Sequence, residues 1–247
     1  MGATESKPSS VPASEQMSPK RGLQLDRVVL LGRTLGEYRE YFLLDPEALK
    51  GKRVLDVAGG VSSFCAEANA EGIQVTSVDP IYSLAPEEIA RRSGPDLEKV
   101  IADVRGLPTY RWTAYRSPEH VRELRQKAVG VFLDDFPKHP ERYQTGLLPN
   151  LPIGDRSFEV TLVSYFLFVY EDQFDYEFHR SAVLDLMRVT TGEVRIYPTV
   201  TFEAEPSAYL ERLESDPACR QFRFEIVPTN FEFLAGSNKF LRITHRN

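Results

Sequence analysis

The sequence predicts an α/β fold: a doubly wound, Rossmann-like sheet that carries a helical insertion. Three observations predict it. Residues 51–80 run strand, small-residue turn, helix and strand, a βαβ unit of the expected length. From Leu151 to Tyr197 the chain again alternates turn, strand, helix and strand. Phe222–Val227 and Lys239–Thr244 are then candidates for a terminal antiparallel pair that closes the sheet as a hairpin.

Residues 1–24 are rich in Ser, Pro, Lys and Glu and bury little apolar surface, which predicts a disordered tail. The start, Met-Gly-Ala-Thr-Glu-Ser, fits a loose N-myristoylation pattern that chance often meets. Pro8 and the two serines after it favour a solvated tail. One folded domain is expected over 25–247, since 247 residues suffice for a full core. Val28–Leu31 lead into Gly32-Arg33-Thr34 and a helical stretch at Glu37–Leu43. Asp45-Pro46-Glu47 reads as a helix start, with an Asp cap, Pro in the first turn and an acid near the dipole. Arg53–Val57 is a short apolar strand suited to the centre of a parallel sheet. Ser62–Ala70 has helical spacing and stops at Gly72; Val75–Val78 is the second strand.

Residues 80–142 are more than a plain doubly wound connection needs. Helices are expected at Pro86–Arg92 and Pro118–Phe136, with Trp112 and Tyr115 between them. Two readings stand: a helical cap whose aromatics exclude water from a ligand, or a surface elaboration packed on the sheet. Beyond it come a turn at Leu151–Glu159, a strand at Val160–Phe166, an amphipathic helix at Tyr176–Val189, a strand at Glu193–Tyr197 and a helix at Pro206–Leu213.

Composition narrows the partners. The formal charge is −6 and the pI about 5.4. An acidic chain repels phosphate backbones, which argues against nucleic acid as the main partner, a local basic patch aside. The longest apolar run, Val160–Tyr170, is too short to cross a bilayer and is interrupted by Thr161 and Ser164. No charged-then-apolar start suggests a secretory signal. Cys65 and Cys219 form no CxxC pattern and read as reduced thiols of a cytoplasmic protein. His120, His139 and His245 show no ligand spacing with acids or thiols, so no metal is expected. Covalent catalysis has neither a G-x-S-x-G elbow nor a Cys–His setting to build on. Subunit number is left open.

The turn after the first strand departs from a dinucleotide fingerprint. Its small residues are Ala58, Gly59, Gly60 and Ser62, not G-x-G-x-x-G. A pyrophosphate needs those glycines at a helix N-terminus; a nucleoside ligand without phosphate asks only for close backbone approach. Asp79, followed by Pro80, ends the second strand where a ribose diol can be held. Asp56 can supply an acid near a cationic end of the ligand. The alternative is a Gly-rich βα turn that binds nothing.

These residues resemble class I S-adenosylmethionine (SAM) methyltransferases. Residues 27–245 look like one bacterial methyltransferase-like family. The resemblance rests on Arg-Val-Val-Leu-Leu-Gly-Arg-Thr-x-x-Glu-Tyr at 27–38, Leu-Asp-x-x-Gly-Gly-x-Ser-Ser-Phe at 55–64 and Asp-Pro-x-Tyr at 79–82. Asp-Tyr-Glu-Phe-His at 175–179 and Glu-Val-Arg-Ile-Tyr-Pro at 193–198 extend it. It implies SAM as cofactor or substrate, and a small-molecule substrate. More narrowly, the chain is similar to azetidine-2-carboxylate synthases, which cyclise SAM and release methylthioadenosine. Ordinary members of the class place an acid after the third strand to bind the adenine amino group. Here that stretch is Tyr143–Leu148, so Leu147 and Leu148 are expected to hold adenine through backbone and apolar contact.

The segment after the fourth strand, Ser164–Tyr176, lies where doubly wound folds bind ligands. Tyr176 is the candidate for the sulfonium face, and Asp175 for binding or deprotonating the amino group. Ser164 and Tyr165 are candidates to fix the methionine chain. Phe166, Phe168 and Phe174 read as core. Arg33 suits a clamp on the methionine carboxylate, or else is a surface Arg; Tyr38 either covers the site or packs a helix. His179, one turn beyond Asp175, is a base or a helix-face hydrogen-bonder. Three functions remain: a SAM cyclase of small-molecule, specialised metabolism, a methyltransferase whose 80–142 segment grips a small acceptor, or a non-catalytic SAM-binding module. Cyclisation and transfer need the same cofactor pocket, so sequence does not separate them.

Overall fold

The computed structural model describes residues 22–246. The disordered tail and the lipidation pattern lie outside them, apart from the last three tail residues. Of these Leu23 is buried, so packing starts before Leu25. Thr34 opens α1 (Leu35–Phe42) with a capping box: its hydroxyl accepts from Glu37 N, and the Glu37 carboxylate accepts from Thr34 N. Asp45 caps α2 (Pro46–Leu49) as its sequence suggests.

The sheet contains β1 (Arg53–Val57), β2 (Gln74–Val78), β3 (Tyr143–Gln144), β4 (Phe158–Ser164), β5 (Thr190–Tyr197), β6 (Phe222–Pro228) and β7 (Lys239–His245), in the order β3-β2-β1-β4-β5-β7-β6. The first five are parallel; β7 runs antiparallel between β5 and β6. This is the doubly wound, Rossmann-like α/β fold, closed by the expected hairpin. Alternation sends successive side chains to opposite faces. Val54, Val160 and Leu162 join one core, with α1 and α3 (Phe64–Ala70). Leu55, Val163 and Ile196 join the other, with α6 (Tyr176–Val189) and α7 (Leu210–Ser215).

Two differences from expectation have clear causes. Helix α4 runs over Pro86–Val104, through Gly94-Pro95, where the sequence suggested a stop near Arg92. Its continuation carries Leu97, Val100, Ile101 and Val104 at helical spacing, all buried, and that packing offsets the backbone bond lost at Pro95. Strand β4 stops at Ser164 rather than Phe166 because Tyr165 adopts φ 50°, a left-handed backbone that ends the ladder. Helix α5 (Pro118–Asp135) packs against α3 and α4, so residues 86–135 cover the β1–α3 side of the sheet. No helix among the described residues is long and apolar enough to cross a membrane.

Candidate functional site

A cavity of about 410 Å3 opens at the carboxyl ends of β1, β2 and β4. Its floor is the turn after β1. Ala58 and Gly60 there take φ 57° and 54°, and Ala58 N donates to Val78 O across to β2. Gly59 must be glycine: a Cβ would stand 2.5 Å from Asp56 Oδ2 and 3.0 Å from both Ser77 Oγ and Tyr82 OH. Asp56 lies beneath this turn, fully buried. Its carboxylate accepts from Tyr38 OH at 2.8 Å and Ser77 Oγ at 2.7 Å. Burial pushes its pKa up to about 7 against the pull of those hydroxyls. It does not line the cavity, which corrects its assignment to a ligand's cationic end.

Asp79 does line the cavity. Its Oδ2 accepts from Gly60 N and its Oδ1 from Ile81 N, both at 3.0 Å, which leaves each oxygen further lone pairs. Burial lifts it to about 6, partly opposed by those backbone donors. Pro80, Leu147 and Leu148 line the same end, as do Ala58, Gly59, Gly60 and Ser62. Leu147 is 62% exposed, an apolar side chain with little to pack against.

Arg33 reaches the cavity because the chain before α1 is sewn to the glycine turn. Arg33 N donates to Ser62 Oγ at 3.0 Å, and Ser63 N donates to Arg33 O at 2.9 Å. The guanidinium carbon stands 4.5 Å from the Tyr165 ring centroid. Nη1 donates to Leu31 O at 2.6 Å, while the buried Nε has no partner. Ser164 Oγ, also on the wall, is likewise buried without a partner. The strained Tyr165 backbone carries its ring to Arg33, a cost of about 1 kcal/mol or more that elements near sites often bear. Tyr38 joins the wall, stacked on Phe64 at 4.1 Å and tied to Asp56.

Two candidates fall elsewhere. Tyr176 packs on the opposite face, where its hydroxyl donates to Asp216 Oδ2 at 2.6 Å and Arg212 lies 3.5 Å above its ring. Asp175 caps α6, accepting from Phe178 N at 2.9 Å. Neither lines the cavity. The reason is helical geometry: the first turn of α6 presents Phe178 inward and commits the two residues before it to cap and far-side packing. His179 is buried with its ring nitrogens 2.8 and 2.9 Å from the carbonyls of Asp175 and Leu167, the helix-face role. Of the aromatics read as core, Phe168 is, but Phe166 and Phe174 line the cavity.

Sequence reasoning missed one charged centre. Arg125 of α5 donates to both Glu37 oxygens, at 2.7 and 2.6 Å, to Gly32 O at 2.9 Å and to Tyr115 OH at 2.8 Å. Tyr115 in turn bonds Glu37, and Tyr41 OH reaches it at 3.1 Å. Burial opposes the Glu37 charge, but Arg125 outweighs it and holds the carboxyl far below its ordinary range. A signal was present: Arg125 shares a helical face with the apolar Val121, Ala128 and Phe132. Among the described residues no group of three His, Cys, Asp or Glu gathers as a metal site.

No protein-family model matches the chain. The uncharacterised protein MJ0045 of Methanocaldococcus jannaschii is 34% identical over 225 residues, which cover 90% of this chain and 99% of that protein. A solved structure from Rhodobacter sphaeroides, named for Zn-dependent alcohol dehydrogenases, matches with TM-score 0.50 at 13% identity, over 88% of this chain and 92% of its own. That likeness is one of fold alone. A SAM-dependent methyltransferase from Aquifex aeolicus aligns with 85% of this chain and 95% of its own, at TM-score 0.39 and 13% identity.

Proposed function

This chain belongs to the family of that uncharacterised Methanocaldococcus jannaschii protein, and we propose that it is a SAM-dependent enzyme that methylates a small molecule. One observation carries the reading. One cavity is lined by Gly59, Gly60 and Asp79, by Arg33 and Ser164, and by the apolar face of α4, which supports a nucleoside at the first group, a methionine chain at the second and an acceptor at the third. Cofactor and acceptor thereby share one enclosure.

The residues fit the cofactor. Asp79 offers carboxylate lone pairs to a ribose diol at the end of the second strand. Leu147 and Leu148 offer an apolar face to adenine. The partnerless Arg33 Nε and Ser164 Oγ suit a carboxylate and the chain that bears it. SAM supplies the electrophile: the acceptor's lone pair forms the new bond to the methyl carbon as the C–S bond breaks and its electron pair stays on sulfur. The protein's part is to hold both ends and to exclude water with apolar walls. No His, Cys or Lys is among the lining residues, and burial holds the Tyr110, Tyr115 and Tyr170 hydroxyls protonated. The acceptor therefore attacks through a lone pair it brings itself.

A second reading, cyclisation of SAM to azetidine-2-carboxylate, is favoured by a specific feature. Asp79 is the one carboxylate among the lining residues, and Asp56 is sealed beneath the turn. An amino group beside Arg33 then meets no acid, and desolvation favours its neutral, nucleophilic form. The motifs at 27–38, 55–64 and 79–82, by which the sequence resembles azetidine-2-carboxylate synthases, support the same reading.

The test is incubation of the full chain with SAM, alone and with an acceptor panel, read by mass spectrometry. S-adenosylhomocysteine that depends on an acceptor is the expected result. Methylthioadenosine with a four-carbon cyclic amino acid from SAM alone would replace transfer by cyclisation. Binding without any turnover would leave a SAM-binding module, and no calorimetric SAM binding would end all three readings.

A further inference from the structure

The cavity extension is built from three apolar walls. Helix α4 supplies Leu97, Val100, Ile101 and Val104, spaced so that all four share one face. Phe166, Phe174 and Phe178 also line the cavity. Phe174 and Phe178 stack at 4.3 Å with planes 18° apart, and Phe166 tilts against Phe174 at 5.5 Å. The third wall pairs Tyr110 edge-on with Phe233 at 4.9 Å. Such edges and faces match the arrangements aromatic rings adopt with one another.

Charge is excluded from this space. Arg125 spends both terminal nitrogens on Glu37, Gly32 and Tyr115. Arg33 lies over Tyr165, and Asp79 is bonded to Gly60 N. An ionised group among the α4 aliphatics would lose its hydration and gain no partner. Size sets a further limit. The whole cavity, about 410 Å3, lies at the low end of the small-molecule range and has to hold the cofactor too.

We propose that this extension is the specificity pocket for an uncharged, compact aromatic acceptor, with Val100 and Phe174 as walls that select it. The proposal rests on the methyl-transfer reading and adds the class of acceptor. It excludes nucleotides, acidic metabolites and polypeptides, and it makes the α4 face the determinant of which ring enters.

The experiment uses the full chain with two probes that share a ring system and differ in charge, 1-naphthylamine (neutral at pH 8) and 1-naphthoate. Each is titrated by fluorescence with saturating SAM present, and SAM is titrated separately by calorimetry. Naphthylamine is expected to bind about ten-fold tighter than naphthoate, since a buried unpaired charge has no compensation. Val100→Phe, which fills the extension, should weaken naphthylamine about ten-fold or more and leave SAM affinity within about two-fold. Equal affinity for the two probes overturns the proposal, as does naphthylamine binding that Val100→Phe leaves unchanged. Should Val100→Phe fail to fold, Phe174→Ala at a half-buried ring gives the second arm, with the same loss expected and an unchanged affinity overturning it. SAM binding with no naphthylamine binding sinks this proposal and spares the proposed function. Naphthylamine binding that is sensitive to Val100→Phe, in a protein that does not bind SAM, does the reverse: it upholds the pocket and ends the transfer reading.

Discussion

Tyr38 and Tyr176 make the same bond and do different things. Each donates its hydroxyl to an aspartate, Tyr38 to Asp56 at 2.8 Å and Tyr176 to Asp216 at 2.6 Å. Tyr38 lies on the face of the sheet covered by α1, α3, α4 and α5 and borders the cavity; Tyr176 lies on the face covered by α6 and α7. The cavity side also holds the left-handed Ala58 and Tyr165, the partnerless Arg33 Nε and Ser164 Oγ and the buried Glu37–Arg125 pair. The far face is a packed core of Val183, Leu186, Val194 and Ile243. The partnerless polar groups and the buried ion pair thus lie on the cavity side, whereas left-handed backbone occurs on both: Asn150 and Arg156, at φ 115° and 54°, are bonded to Asp185 and Arg188 of α6.

The largest effect expected from this asymmetry is on the buried pair. Arg125→Met leaves Glu37 charged and unpaired, and should cost about 3–5 kcal/mol in urea unfolding. A cost below about 1 kcal/mol would place the pair among ordinary surface bridges and remove the contrast between the faces.

Next comes the ligand. Arg33→Ala should weaken calorimetric SAM binding by about ten- to a hundred-fold, the worth of a charge-assisted bond of about 1.5–3 kcal/mol, with a smaller effect on unfolding. Arg33→Lys should not restore it, because an ammonium lacks the planar fork. Full affinity in Arg33→Ala would remove the carboxylate clamp.

Then pH. Asp56 titrates at about 7 in the folded chain, against about 4 unfolded. Between these values the folded state keeps a proton that the unfolded state has lost. Stability from this group therefore falls as pH rises from about 4 to about 7, by up to about 1.4 kcal/mol per unit, and is level above. Asp79, at about 6, acts in the same direction over a narrower window. Denaturation of Asp56→Asn between pH 4 and 8 should show a shallower slope; an unchanged slope would mean that Asp56 stays ionised throughout.

The smallest effect belongs to the far face. Tyr176→Phe loses one hydrogen bond, about 1 kcal/mol of stability, and should leave SAM affinity unaltered. A loss of SAM binding there would return Tyr176 to the site and contradict its packing on α7.

Much of the fold was legible because its signals are local. The Asp45-Pro46 cap, the β1 turn and the apolar run of β4 follow from a few neighbouring residues. Several candidate site residues border one cavity for the same reason: Gly59, Gly60, Asp79, Leu147, Leu148 and Arg33 all line it. The misses came where a side chain's direction depends on packing. Asp175 and Tyr176 follow β4 in sequence, yet the α6 cap turns both away and brings in Phe178. Asp56 ends a strand like Asp79, yet Tyr38 and Ser77 occupy it under the turn.

By itself the sequence determined the order of elements, the parallel sheet with its terminal hairpin and the small-residue turn after β1, because periodicity, caps and small-residue turns act over a few residues. Only the tertiary structure decided that α4 continues past Pro95 to wall an apolar chamber, and that Arg125 meets Glu37, 88 positions away. Those outcomes depend on which surfaces meet when helices close over a sheet, and burial energies between distant segments leave no local mark in the chain.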